Sequence, residues 1–169
     1  MSLGQCCKLM KKFEIKPLTE GDRAWAAALI KEQWAGPKIV TRGKVHYPDK
    51  YPGFIAIKDE KPVGLVTYHI AGKDCEVVTM NSLVEKIGIG SALLDAVKDA
   101  AKKAGCKRLW LITSNDNTHA MKFYQRYGLK LVAVHRDAIT KLRRLKPEIP
   151  LTGNDGIEIR DEIELEMIL

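Results

Sequence analysis

Polar and apolar residues alternate through Phe13-Glu14-Ile15-Lys16-Pro17-Leu18 and stop at a proline, which predicts a short first strand. Thr19-Glu20-Gly21-Asp22 then resembles a capping box with Asp in its last position, and Trp25, Ala28, Leu29 and Ile30 follow at helical spacing until Gly36-Pro37. From Ile39 to Pro52 no period is sustained, which predicts a surface loop with a short turn of structure. Gly53–Lys58 and Pro62–Ile70 flank the polar stretch Asp59-Glu60-Lys61 as a hairpin, and Cys75–Met80 forms a further strand after the turn at Gly72-Lys73-Asp74. The first half therefore reads as an antiparallel meander.

At Gly90 the period changes. Ile89, Leu93, Ala96/Val97, Ala100 and Ala104 share one helical stripe closed by Gly105, and Arg108–Thr113 is a continuous apolar strand of the kind that helices cover on both faces. Asn115-Asp116-Asn117 caps a short helix from Thr118 to Tyr127, Gly128 ends it, and Leu129–Val134 is the next strand. Asp137–Leu145 carries Ile139, Leu142 and Leu145 at helical spacing, and a Pro/Gly-rich loop from Pro147 to Gly156 leads to a final strand. In that strand Glu162, Glu164 and Glu166 alternate with Ile163, Leu165 and Met167, which predicts one wet face and one buried face. The class is α/β, in its α+β form. The length of 169 residues suits one domain from residue 13 to 169 after a leader over 1–12.

Composition narrows the partners. Forty-six per cent hydrophobic and 29% charged residues exclude a disordered or fibrous chain. The net charge of +7 favours anionic partners, but the lysines and arginines are scattered without interleaved aromatic residues, which argues against a nucleic-acid groove. Cys6, Cys7, Cys75 and Cys106 lack metal-ligand spacing, and His46, His69, His119 and His135 read as surface or internally satisfied histidines, so no metal is expected. Trp25, Trp34 and Trp110 read as core or cleft-wall residues. No apolar run is long enough for a membrane span and residues 1–12 lack the apolar stretch of a signal peptide, so the expected location is the cytoplasm, without membrane partners.

Glu85-Lys86-Ile87-Gly88-Ile89-Gly90-Ser91 joins a strand to a helix. A Gly-x-Gly turn there leaves backbone N–H groups unpaired at the positive end of the helix dipole, a setting suited to phosphate, and glycine lets the ligand approach the chain. The turn lacks the Gly-Lys-Ser/Thr ending of a phosphate-binding loop and the third glycine of a dinucleotide fingerprint. Alone, it is a weak signal, and a purely structural tight turn is the lesser alternative.

One strand further on, Asn117, Ala120, Phe123, Tyr124 and Gly128 match an Asn-x-x-Ala-x-x-Phe-Tyr-x-x-x-Gly-Phe pattern, with Leu129 for the last Phe. Together the two segments resemble the GNAT superfamily of N-acetyltransferases, whose coenzyme A signature is Gln/Arg-x-x-Gly-x-Gly/Ala. Here Glu85 stands where Gln or Arg is usual, which puts a carboxylate near phosphates unless it points outward. The resemblance covers roughly Phe13 to Leu169.

It implies the GNAT fold, a central mixed and mostly antiparallel sheet flanked by helices, with two splayed parallel strands forming an acetyl-CoA cleft. It also implies that Val78 and Met80 hold the pantetheine arm, that backbone N–H groups of Lys86, Ile87, Gly88, Ile89, Gly90 and Ser91 hold the pyrophosphate, and that Asn117, Ala120 and Phe123 flank the cofactor. Tyr124 matches the family's general acid, against the alternative of a packed core tyrosine. Glu76, on the strand leading to the cleft, is the candidate base, against a solvated strand glutamate with water in that role. The expected activity moves an acetyl group from acetyl-CoA to a primary amine of a small molecule by direct attack in a ternary complex. Protein or peptide N-acetylation and non-catalytic acyl-CoA sensing are the alternatives. Ile39–Tyr51, Tyr68, Glu76 and the 147–156 loop are expected to face the acceptor, and an exposed edge at the C-terminal strand offers a homodimer contact.

Overall fold

The computed structural model describes residues 12–169. The leader expected over 1–12 thus lies outside the described residues except for Lys12, as do Cys6 and Cys7. Nine strands and four α-helices follow along the described chain: β1 (Glu14–Pro17), α1 (Arg23–Gln33), β2 (Ile39–Thr41), β3 (Lys44–His46), β4 (Gly53–Lys58), β5 (Lys61–Ala71), β6 (Asp74–Ser82), α2 (Ile89–Lys103), β7 (Arg108–Ser114), α3 (Thr118–Tyr127), β8 (Lys130–His135), α4 (Ala138–Leu142) and β9 (Glu162–Ile168).

Seven strands form one sheet in the order β1-β4-β5-β6-β7-β9-β8, and β2 pairs with β3 in a separate hairpin. Every neighbouring pair in the large sheet is antiparallel except β6 and β7. The fold is therefore the mixed, mostly antiparallel sheet with flanking helices that the sequence predicts. Asp59 and Glu60 close the β4–β5 hairpin with positive φ at both positions, the turn whose twist matches that of the strands it joins.

The amphipathic helix α2 buries Ile89, Leu93, Leu94, Val97 and Ala101 against Ala56, Val66, Cys75, Val77, Leu109, Leu111 and Leu165 of the sheet. Helix α1 buries Ala26, Leu29 and Ile30 beside Leu65, with Trp25 and Trp34 packed around them. At its start the Asp22 carboxylate accepts hydrogen bonds from the N–H and hydroxyl of Thr19, as the capping pattern predicts.

Four expectations need correction. Residues 39–46 are not a surface loop but a hairpin with Ile39, Val40, Thr41 and His46 buried, turned by Arg42 and Gly43 at positive φ. The helix expected over 137–145 ends at Leu142. The C-terminal strand is not an edge, because β9 lies between β7 and β8; the edge is β8, which exposes Leu131, Val132 and Val134. Nor is its glutamate face wet. Glu162 is only 1% exposed and accepts from the Arg42 N–H at 3.1 Å, while Glu164 and Glu166 pair with Arg108.

Candidate active site

The parallel ladder between β6 and β7 runs only from Asp74 opposite Arg108 to Val77 opposite Leu111, although β6 continues to Ser82 and β7 to Ser114. Beyond Val77 the strands diverge, so the β7-facing backbone groups of β6, in the stretch holding Val78 and Met80, lose their ladder partners. A polar backbone edge inside a sheet is a site for an extended ligand that supplies the missing hydrogen bonds.

The turn after β6 faces the same opening. Lys86 and Gly88 adopt left-handed backbone, with φ 64° and 89°, and the first bond into α2 runs from the Ala92 N–H to the Gly88 carbonyl. The N–H groups of Ile89, Gly90 and Ser91 precede that bond and take no backbone acceptor among the described residues. Glu85 is exposed, which removes the conflict between its carboxylate and an anion at the helix start. A Cβ at Gly90 would lie 3.0 Å from Phe123 Cζ and 3.2 Å from Met80 Cε, so this glycine lets β6, α2 and α3 converge. A groove of about 1220 Å³ beside the turn is lined by Lys16, Lys58 and Lys86, with Glu14, Asp59 and Glu60 also on its rim. The unpaired amides at the start of α2, with Lys86 in the turn before it, suit a pyrophosphate-bearing ligand.

Helix α3 brings the second set of residues. The Asn117 side chain accepts from the Ala120 N–H at 3.2 Å, so it caps the helix. The Phe123 ring meets Tyr124 edge-on at 5.4 Å, and both pack against the main core. Burial against the core pushes the Tyr124 phenol up to about 12, although the residue as a whole is half-buried, with some surface open to solvent. The Tyr127 hydroxyl, one turn later, donates to Asp95 of α2 at 2.6 Å and locks the two helices together.

Glu76 belongs to a second cluster on the other face of the sheet. Its neighbours Cys75 and Val77 pack toward α2, so by strand alternation Glu76 points to the β2–β3 hairpin. It is only 4% exposed. The Thr41 hydroxyl donates to Glu76 Oε1 at 2.8 Å, and His46 Nε2 lies 3.0 Å from Thr41 Oγ1 and 3.6 Å from Glu76 Oε2. Since the Thr41 proton is committed to the carboxylate, Nε2 must carry the donor proton, which leaves Nδ1 to accept from the Tyr51 hydroxyl at 3.0 Å. Tyr51 in turn stacks on His69 at 5.1 Å. The result is a directed chain from Tyr51 through His46 and Thr41 to Glu76.

Burial raises the pKa of Glu76, against the Thr41 hydrogen bond and the Lys44 charge, which lower it. Burial depresses His46 to about 4, with Lys44 and His69 adding to the effect, so the imidazole is neutral at physiological pH. A cavity of about 260 Å³ opens beside Glu76, walled by Thr41, His69 and Trp110.

The structure thus packs Met80, Gly90, Phe123 and Tyr124 together on the α2 side of the sheet, and sets Glu76 on the strand of Met80 with its side chain on the other face. Val78 is buried on that strand, and Lys86, Ile87, Gly88, Ile89 and Ser91 line the turn above it. Sequence reasoning named the 39–51 segment as acceptor-facing but missed Thr41, His46 and Tyr51 individually. A Thr-Arg-Gly-Lys turn between Val40 and Val45 was the available signal, and strands of three residues are too short for periodicity to reveal. Among the described residues no group of acids, histidines and cysteines could hold a metal.

The acetyltransferase (GNAT) family model matches residues 15–129. The Bacillus subtilis (strain 168) protein YdhI, described as uncharacterized, is 42% identical over 139 residues, which cover 82% of this chain and 87% of that one. Among solved structures, an IAA acetyltransferase from Bacillus cereus ATCC 14579 superposes with a TM-score of 0.69 at 19% identity, covering 93% of this chain and 99% of that one. A GNAT family acetyltransferase from Elizabethkingia anophelis with acetyl-CoA bound gives a TM-score of 0.68 at 22% identity, covering 94% and 99%.

Proposed function

Because the chain belongs to the acetyltransferase (GNAT) family, we propose that it transfers the acetyl group of acetyl-CoA to a primary amine of a small molecule, by direct attack within a ternary complex. The observation that carries this reading is the parting of β6 and β7 at Val77, with a protonated phenol, Tyr124, packed on the α2 side of the sheet and a buried carboxylate, Glu76, on the other. In this reading the thioester lies at that parting, where an acid and a base approach it from opposite faces.

In this account the unpaired β6 backbone near Val78 and Met80 aligns the pantetheine arm. The free amides of the Lys86–Ser91 turn hold the pyrophosphate, while Asn117, Ala120 and Phe123 border the donor. Glu76 takes a proton from the incoming ammonium, so that a neutral amine can attack the thioester carbonyl. A β6 N–H near Met80 stabilises the oxyanion as the C–N bond forms. When the C–S bond breaks, the Tyr124 hydroxyl protonates the departing thiolate, and the second proton shed by the attacking nitrogen as the amide forms restores the phenol through solvent. The acceptor cavity, at about 260 Å³, is smaller than the roughly 300–1,000 Å³ of ordinary ligand clefts, which favours a small amine over a folded protein surface.

A free-thiol assay tests the reading. Acetyl-CoA with a panel of small primary amines should release coenzyme A in an amine-dependent way. Release with peptide N-termini alone would replace the small-molecule acceptor, and thermal protection by acetyl-CoA without release on any amine would make the chain an acyl-CoA sensor.

A further inference from the structure

The cavity beside Glu76 carries more charge than a bare amine needs. Arg42 Nη1 lies 3.6 Å from Glu162, while Asp74 lies 3.5 Å from Arg108 Nη1 and shares that arginine with Glu164 and Glu166. Among the described residues Lys44 is in no ion pair. The Glu76 carboxylate bonds to the Thr41 hydroxyl beside a neutral His46, with no ion pair to Lys44. Lys44 and Glu76 both line the cavity.

The hairpin fixes their separation. Lys44 is the cross-strand partner of Thr41, whose hydroxyl touches Glu76 at 2.8 Å, so the lysine sits about one strand spacing from the residue that grips the carboxylate. Its charge acts on Glu76, His46 and His69 alike. Yet the ammonium and the carboxylate lie beyond the 4.0 Å of an ion pair. The two ends differ in exposure: a buried carboxylate and a solvent-accessible lysine line one cavity, whose wall also includes Trp110 and His69. A bare alkylamine would satisfy the carboxylate and leave the lysine unanswered. A peptide segment is a poor fit for a space of about 260 Å³.

Taking this cavity as the acceptor side of the reaction proposed above, we infer that the acceptor is a small amine with an anionic group at its far end, an amino-carboxylate in the simplest case, whose ammonium meets Glu76 and whose anion meets Lys44. The lysine then acts as a specificity residue. It does not touch the reacting atoms; it selects among amines by the charge at the end remote from attack. A charge-assisted contact of this kind discriminates by about ten- to a hundredfold against a ligand that lacks the partner charge.

The test pairs β-alanine and 4-aminobutanoate with their carboxamides and with n-butylamine, and measures kcat/KM from coenzyme A release for wild type, Lys44→Ala, Lys44→Glu and Lys44→Arg. Differences in amine basicity cancel when the same acceptors are compared between variants. The wild type should favour the carboxylates about tenfold or more. Lys44→Ala should remove that preference, mainly through KM for the carboxylates, while any change it makes in the Glu76 base falls on all acceptors alike and cancels in the carboxylate-to-carboxamide ratio; Lys44→Glu should reverse the ratio, and Lys44→Arg should retain it. Equal or better turnover of carboxamides and butylamine by the wild type would overturn the inference while leaving the transferase reading intact, as would an equal loss on all acceptors in Lys44→Ala and Lys44→Glu. Absence of coenzyme A release with every amine would overturn both.

Discussion

In the proposed reaction Tyr124 is the acid and Glu76 the base, and burial raises both: it strengthens the base, and it keeps the phenol protonated while weakening it as a donor. A phenol held at about 12 keeps its proton through the working pH range, so it is always ready to donate to a thiolate. Tyr124→Phe should lower kcat by about 10²–10⁴-fold, while acetyl-CoA still raises the melting temperature as it does in the wild type. A variant that turns over normally would return Tyr124 to a packing role. For Glu76, a pKa raised by burial gives a base that holds a proton at higher pH than an exposed glutamate. The kcat/KM profile should therefore fall on the acid side with a midpoint above the ordinary carboxylate range, and Glu76→Gln should lose that limb.

The same shift bears on stability. A carboxyl whose folded pKa exceeds its unfolded one favours the native state below the unfolded value, and this contribution is lost as pH rises through the folded value. Glu76→Gln removes the loss, so the variant should melt above the wild type at mildly alkaline pH, with the gap narrowing in acid. At this scale the sequence showed Tyr124 through its Phe-Tyr neighbours, but it could not show the burial of Glu76. That burial depends on Thr41 and His46, which are thirty or more positions away and reach it only through the folded hairpin.

At the scale of elements, α2 and α3 were legible because each is an amphipathic stripe with a clear start, Gly88 for α2 and the Asn117 cap for α3, and a glycine just past its end, Gly105 or Gly128. The β2–β3 hairpin was hidden by its length, and the place of β9 between β7 and β8 by the fact that strand order is a long-range property that alternation does not encode. The wet face assigned to β9 failed for a related reason: an alternating glutamate row looks solvated unless the hairpin and Arg108 that cover it are known. The tightest junction among the elements lies at Gly90. Gly90→Val would press methyl groups on Phe123 and Met80, which lie 3.0 Å and 3.2 Å from a simple Cβ. The expected cost is about 1–3 kcal/mol of stability, with a smaller melting shift on adding acetyl-CoA. An unchanged acetyl-CoA shift in this variant would separate the α2–α3 contact from donor binding.

For the molecule as a whole, the proposed reaction has the α2 face and the β2–β3 face of one sheet meet where β6 and β7 part. The net charge of +7, diffuse in the sequence, contributes Lys86 to the turn before α2 and Lys44 to the cavity beside Glu76. Ligand binding to the native state alone should stabilise it by about 2.7 kcal/mol at a hundred times Kd. The central claim is the transfer itself, and it is tested most directly with acetyl-CoA labelled in its acetyl group, a panel of small primary amines and mass spectrometry of the products. The label should appear on an amine nitrogen in wild type and fall to a small fraction of that rate in Tyr124→Phe. Label that stays on coenzyme A with every amine, or that moves equally fast in both proteins, would contradict the account.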